Sequence, residues 1–308
     1  MPALHQRPEA PAIRKAIRPN VLNLIIAGAL LLLVSACFCR SGRGDSGSVI
    51  DDPGDNIYSE ANSADRGTST GNDSGDDGDF IVQYAEIETP RYRQIDRQIR
   101  DEKLIEKAAD KLNGALKLPH DITLQSRDCK EQNAFYDPGD KSVTICYELM
   151  ERFYSAFRSA GLNENAAYEK MFDAVRFVFL HEIGHALIDA YKLPVTGGEE
   201  DSADRLSAFV NLRELGDEGV RAVFAAADAF AIESRERPQN ARNMADEHLQ
   251  QEQRFYNSLC MIYGSNPQKH SRIVMDGYLP KERAVRCQNE YQRTVESWMT
   301  LLEPWRKN

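Results

Sequence analysis

The 308-residue chain carries 48 acidic against 38 basic side chains, a formal net charge of −10, and hydrophobic residues make up 42% of it. That composition supplies a real core for one or two domains and argues against a nucleic-acid surface. The charge is uneven: residues 40–79 hold ten acidic side chains against three arginines, whereas residues 1–20 hold Arg7, Arg14, Lys15 and Arg18 against Glu9.

No charge occurs from Pro19 to Cys39, and the run Val21–Val34 is almost wholly apolar. Basic residues before it favour a cytosolic N-terminus. The run ends in Val34-Ser35-Ala36-Cys37, which resembles the lipobox of bacterial lipoproteins, where the cysteine is lipidated and becomes the new N-terminus. Cys37 is then a lipidation site; an uncleaved signal anchor and a plain cleaved signal peptide are the competing readings. All three place the remainder in the cell envelope, on the periplasmic or extracytoplasmic face, and two of them tether it to the membrane. Cysteine usage agrees. Beyond Cys37 and Cys39 stand Cys129, Cys146, Cys260 and Cys287, an even number that reads as two disulfides in an exported domain. Nothing in the spacing fixes the pairing, although neighbours in sequence suggest Cys129–Cys146 and Cys260–Cys287.

Composition divides the chain into a signal or anchor over 1–39, an acidic tether over 40–79 and a folded domain over 80–308. The tether has too few large apolar side chains to offset its ordering entropy. Phe80 to Tyr84 reads as a strand, and 91–118 as a helix with Ile95, Ile99, Ile105, Ala108 and Leu112 on a stripe. Ile122 to Gln125 is a short strand. Asp137-Pro138-Gly139-Asp140 is a strong turn signal between Phe135-Tyr136 and Val143–Tyr147, which predicts a β-hairpin. Glu148 to Arg158 is a helix, and Asn163 can cap the next, from Glu164 to Tyr191.

That last helix carries Phe179-Leu180-His181-Glu182-Ile183-Gly184-His185, of the form H-E-x-x-H. Side chains four apart nearly coincide on one helical face, so His181 and His185 can offer two nitrogens to one metal ion. Glu182, at the edge of that face, can reach a water beside the ion as general base. Gly184 allows another backbone to approach there. A catalytic zinc site needs a third protein ligand and an open position. The next stretch offers one: Glu200-Asp201-Ser202-Ala203-Asp204, of the form E-x-x-A-D.

This pair of motifs resembles the gluzincin metallopeptidases. The resemblance implies Glu200 as the third ligand, with Glu199 and Asp201 as alternatives, and Asp204 as a carboxylate hydrogen-bonded to a ligand histidine. More widely, the chain is similar to bacterial metallopeptidase-like domains of the DUF4344 type. The matching pieces are Asn133-Ala134-Phe135-Tyr136, Cys146-Tyr147-Glu148-Leu149, His181 to His185, Glu199 to Asp204, and Gln253-Arg254-Phe255-Tyr256-Asn257, with Cys260, Tyr263-Gly264 and Arg286-Cys287.

Further helices are expected over 205–215, 220–232, 241–263 and 280–302. His248, Arg254 and Tyr256 are candidate donors to a developing oxyanion. The expected fold is α+β, mainly helical: a zincin-like domain with a small sheet or hairpin beside the active-site helix. The expected function is an exported, zinc-dependent peptidase with one Zn²⁺ and a peptide or protein substrate. A non-catalytic zinc-binding envelope protein and a peptidoglycan amide hydrolase are the rivals.

Overall fold

The computed structural model describes residues 76–236 and 245–307. The signal or anchor segment with Cys37, and the tether up to residue 75, lie outside the described residues. Asp76 to Asp79, assigned to the tether by composition, belong to the fold. Asp77 and Gly78 donate their backbone N–H groups to the Leu118 carbonyl, and Lys307 pairs with Asp76 at 2.9 Å.

A four-stranded mixed sheet is built from β1 (Phe80–Tyr84), β2 (Ile122–Arg127), β3 (Ala134–Asp137) and β4 (Ser142–Cys146). Its order is β1-β2-β4-β3, with β1, β2 and β4 parallel and β3 antiparallel to β4 at the edge. The expected hairpin is therefore present as the β3–β4 arm of a larger sheet. Its turn is closed by Asp137 Oδ1, which accepts the Gly139 N–H at 2.7 Å. Every residue of β4 is buried, as a strand with neighbours on both sides and layers on both faces must be.

Between β1 and β2 the chain makes α1 (Arg93–Asp101) and α2 (Leu104–Ala115), after a 3₁₀ turn at Pro90–Tyr92. The single helix predicted over 91–118 is thus broken. Lys103 adopts a left-handed φ of 52°, which resets the helix so that Ile99 and Ile105 both reach the core. The predicted helix also ends early, because Leu116 and Leu118 form bridges to Arg306 and Gly78.

The remaining chain is helical: α3 (Tyr147–Ser159), α4 (Glu164–Tyr191), α5 (Glu199–Glu214), α6 (Gly216–Glu236), α7 (Gln251–Ser265), the short α8 (Arg272–Met275) and α9 (Lys281–Ala284), and α10 (Cys287–Leu302). This is an α+β fold, mainly helical. Among the described residues no helix is long and apolar enough to cross a membrane. Of the helix predicted over 241–263, residues 241–244 lie outside the described residues; the described part becomes helical at Gln251, and Asp246, Glu247 and His248 lie in a loop before it. Gln250 and Gln253 cap that start reciprocally. The helix predicted over 280–302 is likewise two helices.

α4 is the centre of the fold. It begins where predicted, with Asn163 Oδ1 accepting the Ala166 N–H at 2.9 Å. It then runs 28 residues between two cores. Met171, Ile183 and Leu187 pack with the sheet and α3, while Phe177 packs with Phe230 of α6 and Leu259 of α7. Two disulfides, Cys129–Cys146 and Cys260–Cys287, close loops with sequence separations of 17 and 27 residues. Restricting the unfolded chain this way contributes about 3 kcal/mol each.

α5 crosses α4 at Gly184. A Cβ placed there would stand 3.0 Å from the Ala203 Cα and 3.3 Å from Leu206 Cδ2. Helix propensity alone favours Gly184→Ala by about 1 kcal/mol. Crowding two helix backbones costs about 1–3 kcal/mol. Urea unfolding of Gly184→Ala is expected to show a net loss of stability; a gain would mean the crossing has slack.

Candidate metal centre

One turn of α4 brings His181 Nε2 and His185 Nε2 to 3.2 Å from each other. The first turn of α5 adds Glu200, whose Oε2 lies 3.1 Å from His181 Nε2 and whose Oε1 lies 3.4 Å from His185 Nε2. Behind the rings stand two more carboxylates: Asp204 Oδ1 is 2.8 Å from His181 Nδ1, and Glu199 Oε1 is 2.7 Å from His185 Nδ1. Asp204 reaches its ring because it lies one helical turn beyond Glu200 on the same face. Of the alternative third ligands, Glu199 is engaged behind His185, and Asp201 is paired with Arg205 at 2.8 Å.

A carboxylate therefore lies beside each nitrogen of His181 and of His185. With a cation on Nε2, each neutral imidazole keeps its one proton on Nδ1, where Asp204 or Glu199 accepts it. Without a cation, extra protons must lie between the Nε2 atoms and Glu200, because two lone pairs and a carboxylate repel one another. Donor atoms about 2.0–2.1 Å from a tetrahedral ion stand about 3.3 Å apart, and the observed 3.1, 3.2 and 3.4 Å straddle that spacing. The donor set fits a divalent cation.

The same electrostatics appear in the titration of the groups. Burial opposes protonation of His181, but Asp204 and Glu200 outweigh it and push the imidazole up to about 9. His185 also moves up, with burial overcome by Glu200 and Glu199. Burial would raise Glu200, yet His181, His185 and His248 hold its carboxyl well below the usual carboxylate range. Asp204 is held low in the same way by Arg254 and His181. Glu182 moves up, chiefly through burial, with a backbone hydrogen bond from Tyr136 of β3 as a small counterweight.

A cleft of about 500 Å³ opens onto the cluster, lined by His181, Glu182 and His248 together with Asn133 and Ala134 at the start of β3. His248 reaches it from the 245–250 loop, with Nε2 at 2.8 Å from Glu200 Oε2. Arg254 also lines the cleft, with two of its nitrogens on Asp204. Its Nε and an Nη lie 2.8 and 2.7 Å from the two oxygens of Asp204, and its guanidinium stacks 4.2 Å over the Phe230 ring. It holds Asp204, which in turn holds His181. Tyr256, two residues on, is turned about 200° around α7 from Arg254 and is 40% exposed against Phe255. It does not join the cluster.

Sequence reasoning named Glu199 only as an alternative third ligand, not behind His185, and assigned nothing to Asp246 or to the Tyr136 amide on Glu182. Glu199 was legible as an acid one residue before the motif. The other two depend on a loop and on a strand edge that leave no periodic signal.

The DUF4344 family, described as "Putative metallopeptidase", matches residues 84–302. The chain belongs to that family. No curated protein and no solved structure matches it. The DUF4344 region runs from the last residue of β1 to the end of α10, so the whole cluster and its cleft lie inside it.

The Asp204–Arg254 pair is buried and therefore sensitive to loss of one member. Arg254→Met leaves Asp204 uncompensated and is expected to cost about 3–5 kcal/mol. Adding Asp204→Leu should then cost less than the sum of the two single changes. Urea unfolding of the chelator-treated protein reads this, and strict additivity would remove the coupling.

Proposed function

We propose that the chain is a zinc-dependent hydrolase of peptide bonds, with the ion held by His181, His185 and Glu200. The convergence of two Nε2 atoms and a carboxylate, with a second carboxylate beside each Nδ1, carries this reading. When bound there, the metal supplies a Lewis acid that polarises a carbonyl and acidifies a water.

The chain's own residues do the rest. Asp204 and Glu199 fix ring tautomer and orientation, and Arg254 fixes Asp204. Glu182 faces the cleft with a carboxylate whose proton affinity is raised by burial. It accepts the proton of the attacking water on one oxygen and returns it to the leaving amine nitrogen. Asn133 and Ala134 border the same cleft, where the edge strand β3 can align an extended peptide by strand addition.

The paired cysteines support an oxidising compartment, as does the uncharged N-terminal run. On this reading the domain acts outside the cytosol, tethered to the membrane through its N-terminus. A polypeptide and a peptidoglycan stem both present a cleavable amide; peptide libraries and cell-wall fragments separate them by which is cut.

The test uses the purified full-length chain. Elemental analysis is expected to give one zinc per chain, lost in His181→Ala. Glu182→Gln should keep the zinc while hydrolysis falls by about 10²–10⁴-fold. Undiminished turnover in Glu182→Gln, or retained zinc in His181→Ala, overturns the assignment.

A further inference from the structure

All three imidazoles at the cluster share one arrangement. Asp204 stands behind His181, Glu199 behind His185, and Asp246 behind His248, where its Oδ1 is 3.3 Å from Nδ1 and accepts the His248 backbone N–H at 3.0 Å. In each, a carboxylate beside Nδ1 can hold the ring proton there when Nε2 binds a cation. His248 Nε2 then points at Glu200 Oε2 from 2.8 Å, the same oxygen that faces His181 Nε2. The His248 and His181 rings lie nearly parallel, with centroids 6.0 Å apart and planes inclined by 18°. One donor atom each from His181, Glu200 and His248 lies within 4.8 Å of the others. As an oxyanion donor, the role its position in sequence suggested, His248 would donate from Nε2, the nitrogen that here is turned to Glu200.

We propose that His248 is a fourth protein ligand of the cation held by His181, His185 and Glu200. The inference rests on reading the cluster as a metal centre and adds that the described conformation is a closed one. Three imidazoles and one carboxylate are a donor set suited to Zn²⁺ or Co²⁺. Sites with four protein donors hold their metal structurally, while hydrolytic sites keep one position open. His248 is the donor built to yield. Its side chain is 46% exposed on a loop, whereas His181 and Glu200, on packed helices, are 5% and 16% exposed. Its departure would expose the metal on the side of the cleft, where His181 and Glu182 already face.

The experiment loads the full-length chain with Co²⁺ and records its visible spectrum while thiocyanate is added. Zinc affinity is measured in parallel by competition with a chromophoric chelator. The parent spectrum is expected to need a higher thiocyanate concentration to change than that of either variant. His248→Ala and His248→Gln should each respond to the anion, and their zinc dissociation constants should rise about 10–100-fold. Circular dichroism on the metal-free variants checks that the fold is kept, which the exposed loop position favours. If the parent binds cobalt and both variants match it in affinity, spectrum and response to thiocyanate, His248 is not a ligand and the three-ligand site stands. If the parent takes up no cobalt, the metal reading fails and this inference goes with it.

Discussion

The close crossing of α5 over α4 is the constraint on which the rest of the site depends. Helices normally pack with axes 8–10 Å apart, set by the side chains between them. Here Gly184 presents none, and the small Ala203 lies directly against it. The approach brings the first turn of α5 within reach of imidazoles that project from α4. Glu200 and Asp204 flank Ala203 in sequence, one meeting the Nε2 side of His181 and the other its Nδ1 side. A larger residue at either contact would withdraw both carboxylates together.

What the crossing assembles is electrostatically expensive. Glu182, Glu200 and Asp204 gather around two imidazoles, with the half-exposed Glu199 at the rim and Arg254 as the counter-charge. Taking carboxylates out of water costs several kcal/mol each, and a buried pair recovers that only through good geometry. The fork-like contact of Arg254 on Asp204, backed by the Phe230 ring, has that geometry. The unbalanced remainder is negative and turned toward the cluster. A fold that retains so much like charge at its centre is organised to receive a positive one.

Much of this was legible in the chain itself. α4 could be bounded to the residue, because Asn163 is a side-chain cap and Pro194 follows the left-handed Lys192. The motif spacings predicted the contacts of His181, His185, Glu200 and Asp204, since each depends only on helical periodicity within one element and the pairing of two. Reading failed where the determinant was tertiary. The break at Lys103 has no Gly or Pro to announce it; the sheet and the two bridges after α2 impose it. The start of α7 is capped by glutamines, which are uncommon in that role, so the helix was extended backward over Asp246 and His248. Arg254 carried no sequence mark of its hold on Asp204.

The Cys129–Cys146 disulfide has a consequence for whatever occupies the cleft. Glu148 accepts the backbone N–H groups of Cys129 and Lys130 at 3.1 and 3.0 Å, and the Asn133 carbonyl accepts that of Cys146 at 3.1 Å. The short segment leading into β3 is thus pinned at both ends, covalently at one. Its last residues form a wall of the cleft. A ligand arriving there meets a rim whose shape is already set, so little of its binding free energy is lost to ordering the receptor.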